Sequence, residues 1–340
     1  MRTDLPPTPQ PPLLSPAPPP AVNDRSRLTQ LTLSIAAVER DTGLSKDTLR
    51  VWERRYGFPT PGRDAVGERA YTLAQVEKLR VVKRLLDAGH RPGRIVPLDL
   101  EQLQELTEQT VDQPLRQAQA QDPALRSDDL RAHLDLIRGH DVPRLRGELT
   151  RLLSRFGVSR FISEVVGPLN AAVGDAWLRG QMEIFEEHLY TETMQVVLRG
   201  AIFAIPEPTA ADAPRVLLTT LPGEQHGLGL LMAEAVLALE GCRCVSLGVQ
   251  TPVWDTVLAA TACKSDIVAL SFTGCMNPNQ IFDSLSELRA KLPARVALWA
   301  GGSAPVLHRR PLQGVEAFSS LAELPEALRR VRGVSPHRHP

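Results

Sequence analysis

Along this chain the apolar positions change their period three times, and each change marks a unit. From Leu33 onward they recur at helical spacing in short blocks. Ser34 to Gly43 predicts a short helix closed by a glycine, and Ser45 is placed to cap a second helix over Lys46 to Tyr56. Two helices with so tight a turn form a helix-turn-helix signature. After Gly57-Phe-Pro-Thr-Pro61, the stretch Arg63 to Tyr71 predicts a small hairpin, and Leu73 to Ala88 an amphipathic helix ending at Gly89.

Beyond Pro97 the periodicity fades. Residues 101–126 are Gln-rich and polar and read as a linker. Helical spacing returns from Asp128 to about Ala204, interrupted at Gly139-His-Asp141, at Gly157 and at Arg179-Gly180, which predicts a four-helix bundle within residues 127–206. Asp141 and Ser159 are its cap candidates, and Leu145, Leu149, Leu152, Leu153 and Phe156 mark one buried face.

From Arg215 the pattern becomes short apolar runs alternating with helical stretches. Strands are expected at Arg215–Thr220, Cys242–Leu247, Ile267–Thr273, Arg295–Trp299 and Val315–Phe318, with helices between them. That alternation predicts a doubly wound parallel sheet over residues 213–333. The fold class expected is therefore multidomain: an all-α winged helix-turn-helix over 29–100, a helical bundle, and an α/β Rossmann-like (flavodoxin-like) domain.

Composition refines this picture at the ends and in the charge. Nine prolines fall in the first twenty residues, with almost nothing to bury, so residues 1–28 are expected to be a disordered tail, and 334–340 a second. The formal net charge of the 340 residues is zero, but Leu31 to Pro97 carries thirteen Lys/Arg against eight Asp/Glu. Glu101 to Pro206 carries eleven against sixteen, so the basic amino-terminal unit is the candidate for a polyanionic partner. The four cysteines, Cys242, Cys244, Cys263 and Cys275, make no C-x-x-C and no zinc spacing, which predicts a reduced cytoplasmic protein without a structural metal. No secretory signal core is seen, and no run approaches the roughly eighteen apolar residues of a membrane span. No membrane partner is expected.

Candidate chemistry sits at three places. On the second predicted helix, Lys46, Thr48, Arg50, Arg54 and Arg55 surround the apolar stripe of Leu49 and Trp52, side chains suited to phosphates and to base edges in a major groove. Glu224-Gln-His226-Gly227-Leu-Gly229 puts a histidine, with a carboxylate two residues before it, in a strand-to-helix loop where open α/β folds bind ligands. Within the bundle, nine residues across a helix-helix turn separate Trp177 from Glu187-His188, so the three side chains are candidates to face one pocket.

Two resemblances join these places. Thr48-Leu-Arg-Val-Trp-Glu-Arg-Arg-Tyr-Gly57, Arg69-Ala-Tyr71 and the helix Val76 to Leu86 resemble the winged helix of the MerR transcriptional regulators over about seventy residues. That implies double-stranded operator DNA as partner, gripped also by Arg63, Arg69 and Tyr71. Glu224-Gln-His-Gly-Leu-Gly229, Ser271-Phe-Thr273 and Gly301-Gly302-Ser303, in that order, resemble the cobalamin-binding domain of methionine synthase. The Trp-x9-Glu-His bundle before them is similar to the helical cap of the light-sensing, B12-dependent MerR repressors.

The resemblance implies adenosylcobalamin, or methylcobalamin, as cofactor, with His226 as lower axial ligand to cobalt. Glu224 would hold its other ring nitrogen with Ser271 behind it. Thr273 would lie at the site, Gly227 and Gly229 would let backbone approach the nucleotide tail, and Gly301 and Gly302 would leave room for it. Trp177 would roof the upper face, and Glu187 and His188 would bond the sugar or a neighbouring subunit. At Leu178 the chain departs from light-sensing members, which place a histidine directly after the roof tryptophan. Binding and photolysis do not need that residue; a stable doubly His-ligated product does, unless His188 moves.

The function expected is a repressor, not an enzyme, that forms a homo-oligomer (dimer or tetramer) on adenosylcobalamin, binds operator in the dark and releases it in light. A light-indifferent cobalamin-responsive regulator is the alternative. A corrinoid methyltransferase or mutase subunit explains only the carboxyl-terminal half, and a drug-sensing MerR protein does not explain the ordered His226, Ser271 and Gly301.

Overall fold

The structure, a computed structural model, describes residues 32–87, 90–107, 127–274 and 276–334. Three units follow one another along the chain. In the first, β1 (Thr32–Ser34) leads into α1 (Ile35–Thr42) and α2 (Lys46–Tyr56). Both helices are bounded as the sequence predicts: the Ser34 and Ser45 side chains accept from Ala37 N and Thr48 N, and Gly43 and Gly57 close them in the left-handed region.

The hairpin is β2 (Gly62–Arg63) and β3 (Arg69–Thr72), with Arg63 opposite Arg69. Its other edge is taken by β1, giving the order β1-β3-β2, so the expected hairpin is part of a three-stranded sheet whose third strand the sequence did not announce. Three residues are too few to show an alternation in the sequence. Next come α3 (Leu73–Asp87), α4 (Pro92–Ile95) and a helix over residues 100–107, α5.

That last helix corrects the expected linker. Leu103 is fully buried among Val38, Leu49, Trp52, Tyr71, Val76, Leu79, Val82 and Leu85, with Leu98, Leu100 and Leu106 packed alongside. The leucines recur at helical spacing, and the Gln-rich outer face hides them from a reading by composition. Residues 108–126, the two terminal tails and Cys275 lie outside the described residues.

The second unit is the bundle: α6 (Ser127–Arg138), α7 (Val142–Arg160), a π-helical turn Phe161–Val166, α8 (Gly167–Leu178) and α9 (Ile184–Phe203). Asp141 caps α7 through Arg144 N. Gly157, at φ 71 and ψ 166, is the non-helical residue inside Val142–Arg160, and it kinks the chain between two helical segments. Ser159, expected as a cap, lies inside helix.

The third unit is a five-stranded, all-parallel sheet: β4 (Arg215–Thr219), β5 (Arg243–Ser246), β6 (Ile267–Phe272), β7 (Ala297–Gly302) and β8 (Val315–Phe318). The order β5-β4-β6-β7-β8 is that of a flavodoxin-like fold, whose switch point falls between β4 and β6. The crossovers are α10 (Leu228–Leu239), α11 (Val253–Ala262), α12 (Pro278–Lys291) and α13 (Val306–Arg309), and α14 (Leu324–Val334) closes the domain.

Helix α10 is apolar on every side because it has two partners. Leu230 and Leu237 enter the sheet's core, while Leu231, Met232 and Ala235 enter the core of the bundle. Asn170 ties the two units further: it accepts from the Tyr190 hydroxyl and reaches the Met232 sulfur at 3.6 Å. The bundle is thereby seated on the helix that follows the His226 loop. Among the described residues, no helix is long and apolar enough to cross a membrane.

Candidate functional site

The loop after β4 is shaped by a threonine and a glycine. Gly223, at φ 94, turns the chain, and the Thr220 hydroxyl donates to Glu224 O at 2.7 Å while accepting from Gln250 N at 2.8 Å. This folds Glu224 inward beneath the end of the sheet, where its side chain is 0% exposed, and leaves the His226 ring 54% exposed at the rim.

Every acceptor direction of the buried carboxylate is used. One oxygen takes the His226 backbone N–H at 3.0 Å and ring Nδ1 at 2.7 Å; the other takes Thr273 N at 2.6 Å and its hydroxyl at 2.7 Å. Burial opposes ionisation of Glu224. The hydrogen bonds from the His226 ring, from Thr273 and from the His226 backbone outweigh it, so the carboxyl lies below its ordinary range. A carboxylate can only accept, which puts the imidazole proton on Nδ1 and the lone pair on Nε2. A histidine set in this way is a donor for a metal of borderline hardness, its tautomer held by the groups behind it.

The residue behind Glu224 is therefore Thr273, at the end of β6, and not Ser271. Ser271 faces Gly229 instead: a Cβ on Gly229 would lie 2.8 Å from the Ser271 hydroxyl. The other glycines also answer to protein neighbours. A Cβ on Gly302, whose φ is 115, would sit 2.0 Å from Phe272 O, and one on Gly227 would sit 3.3 Å from Val249. Gly301 pairs with Ser271 across the β6–β7 ladder. At Gly229 and Gly302 the small size is demanded by packing at the carboxyl end of the sheet, whatever ligand lies over it, whereas a Cβ on Gly301 would make only ordinary contact with Phe318 at 3.9 Å.

The bundle residues are placed on adjoining helices. Trp177 is half-buried in the last turn of α8, against the bundle core. Glu187 accepts from the Thr191 hydroxyl at 2.7 Å, and His188 stands 3.7 Å from the same carboxylate with its ring 70% exposed. The contacts of Glu187 and His188 lie in the bundle, and Trp177 meets both the bundle core and Arg84 of the first unit, whereas Glu224, His226 and Thr273 form one cluster in the sheet domain.

In the first unit the expected DNA-contacting side chains divide. Arg54 and Arg55 are exposed, and Arg55 lies over the Tyr56 ring. Lys46 pairs with Glu39 at 3.5 Å, Arg50 with Asp47 at 3.1 Å, and the Thr48 hydroxyl meets that of Ser45 at 2.8 Å. These are loose pairs on an open surface that a phosphate can displace. Arg63 donates to Gly67 O at 2.6 Å and steadies the hairpin turn. Arg69 bonds Glu53 at 2.9 Å, and this hydrogen bond and charge raise its pKa. Tyr71 is a correction: it is 0% exposed, in the core, and burial raises the pKa of its hydroxyl. A side chain with no surface cannot touch DNA.

Sequence reasoning missed Thr220, Gln250 and Val249, which shape or line the loop, because no pattern marks a contact between two separate loops. It missed Arg84 as well, a buried cation on α3 that reads in the sequence as one more helical surface arginine.

Comparison with known proteins gives two domain matches in order: residues 33–98 to the MerR HTH family regulatory protein and residues 130–199 to the B12 binding domain. Over 283 residues the chain is 31% identical to the HTH-type transcriptional repressor CarH of Myxococcus xanthus, covering 83% of this chain and 92% of that one. This chain belongs to the CarH family of MerR-type repressors. The Myxococcus xanthus repressor CarA is 29% identical over 304 residues, 89% of this chain and 98% of that one. A monomethylamine corrinoid protein of Methanosarcina barkeri overlays at a TM-score of 0.48 and 18% identity, over 59% of this chain and 96% of that one, too loosely to add to the strand order above. As a CarH-family member the chain is a DNA-binding transcriptional regulator with a B12-binding domain, and not an enzyme.

Proposed function

We propose that this regulator holds adenosylcobalamin between bundle and sheet, assembles on it, and represses transcription in the dark until light releases the operator. The observation that carries the reading is the fixed tautomer of His226, presented at the rim of the switch point by Glu224 and Thr273. His226 would bind cobalt from below. Trp177 would cover the upper face, and Glu187 and His188 would offer hydrogen bonds beside it. The cofactor would supply a cobalt–carbon bond that visible light cleaves.

The chain's own residues account for the remaining steps. Arg54 and Arg55, with Lys46, Thr48 and Arg50 around them, would meet phosphates and base edges, and the arginines of the wing would hold the flank of the site. Assembly as a dimer or tetramer is supported by apolar surface left open to a second copy. Val245, Leu247 and Val249 at the sheet edge and Trp254 and Leu258 on α11 are exposed, as are Phe185, Val196 and Phe203 on α9. Several winged helices on one operator would then add by avidity. The site of action would be the bacterial cytoplasm, on the nucleoid.

A light-indifferent regulator, with methylcobalamin as one choice of cofactor, is the second reading. Leu178 favours it, since no histidine follows Trp177 to hold an illuminated state, and His188 already lies beside Glu187. One experiment separates the two: operator gel shifts with no cofactor, with adenosylcobalamin in the dark, and after green light. The first reading predicts a shift only in the dark holo sample. A holo complex that ignores light supports the second, and operator binding untouched by cofactor contradicts both.

A further inference from the structure

Where α3 of the winged helix meets the bundle, an arginine is buried against the roof. Arg84 is 7% exposed, a degree of burial that arginines rarely reach without a close counter-charge. Its guanidinium carbon lies 5.0 Å over the ring of Trp177. Gly180, in the left-handed turn just after α8, makes the room: a Cβ there would stand 3.2 Å from an Arg84 nitrogen. Burial lowers the pKa of Arg84, and the Glu183 carboxylate, beyond the same turn, opposes that shift through space.

The rest of α3 is a stiff arm. One turn before Arg84, Arg80 makes a two-pronged pair with Asp41 of α1, at 2.6 and 2.8 Å. Val76, Leu79, Val82 and Leu85 enter the core shared with Leu49 and Trp52 of the recognition helix α2. A displacement of Trp177 is thus passed to α2 through packed side chains, because cores of this kind move as units.

We propose that the Arg84–Trp177 stack is the contact through which the cofactor cap sets the placement of the DNA-binding unit. Arg84 is a positioning residue: it touches neither operator nor cofactor, and acts through the tryptophan. The proposal rests on the reading of Trp177 as the roof of the cobalamin site. A cation on an aromatic face, with no direct ion pair to it among the described residues, holds the units together while permitting release, as a switch requires.

The test is Arg84→Met in the full-length protein, which nearly keeps the volume and removes the charge together with the cost of burying it. It should take up adenosylcobalamin with the wild-type spectrum. The gain in operator affinity on adding cofactor should fall by roughly tenfold, within the usual span of a coupling between sites. In the cofactor-free protein, amide exchange should quicken in residues 73–87 and 167–184. Arg84→Lys, which keeps the charge without the planar stack, should fall between, and it decides the matter if Arg84→Met does not fold. A full cofactor-dependent gain in either folded variant, or unchanged exchange, overturns the proposal. If the wild type itself shows no gain, the reading of the cofactor site has failed, whereas failure of the variants alone to lose the gain removes only the coupling.

Discussion

The imidazole of His226 owes its usefulness to two side chains that never reach the surface. Glu224 is completely buried and four times hydrogen-bonded, so it fixes the histidine from both backbone and ring. Its folded pKa is lower than its unfolded value, so its contribution to stability is complete above the unfolded value, near pH 4.3, and disappears as pH falls through the folded one. Glu224→Gln lacks that titration. Its acid unfolding should therefore begin from a lower stability at neutral pH, and the gap to wild type should close as pH falls below the unfolded value and through the lower folded one, as circular dichroism during acid titration would show. Curves that stay parallel to pH 2 would mean the carboxylate is not held this way.

Tyr71 shows the opposite case, a residue whose motif suggested contact with DNA but whose burial forbids it. Its hydroxyl is buried without a hydrogen-bond partner among the described residues. Removing an unpaired buried polar group is neutral or stabilising, by up to about 1–2 kcal/mol. Tyr71→Phe should bind operator as wild type does and melt at the same temperature or higher. Weakened binding with unchanged melting would return Tyr71 to the interface.

At the scale of elements, strong periodicity was legible and short or mixed signals were not. The capped helices Ile35–Thr42 and Lys46–Tyr56 and the glycine break at Gly157 follow from local chemistry that the chain displays openly. Strand β1 and helix α5 do not: one is three residues long, and the other carries its leucines among glutamines. The histidine–glutamate pair was legible from two residues of one loop. Thr273 was in view only as a residue of the strand end, and its role in place of Ser271 depends on the stagger of β6 against the loop, which no local pattern encodes. Leu103 tests the correction to the linker. Leu103→Ala should destabilise the winged helix by about 2–5 kcal/mol, as for other buried leucines, while leaving cobalamin uptake intact. Thermal denaturation of the full-length protein, followed by exchange at residues 73–87, reads it; a loss under about 0.5 kcal/mol would place 100–107 outside the folded unit.

Over the whole molecule, three units are strung so that each leans on the next. Helix α10 shares its apolar faces between sheet and bundle, and Arg84 joins bundle to winged helix. A ligand between bundle and sheet is thereby in mechanical reach of the recognition helix, provided it binds one arrangement more tightly than another. The exposed apolar residues Val245, Leu247 and Val249 are a surface on which copies would meet in the proposed assembly. All of this presumes that His226 binds the cobalt. The most direct measurement is electron paramagnetic resonance of the protein loaded with cobalamin and brought to the cobalt(II) state, with and without nitrogen-15 histidine. If His226 is the axial ligand, its nitrogen splits each cobalt line into a triplet, isotope labelling converts this to a doublet, and His226→Ala abolishes the isotope effect. A splitting that ignores the label in the wild-type protein would show that the cofactor keeps its own base and contradict the account.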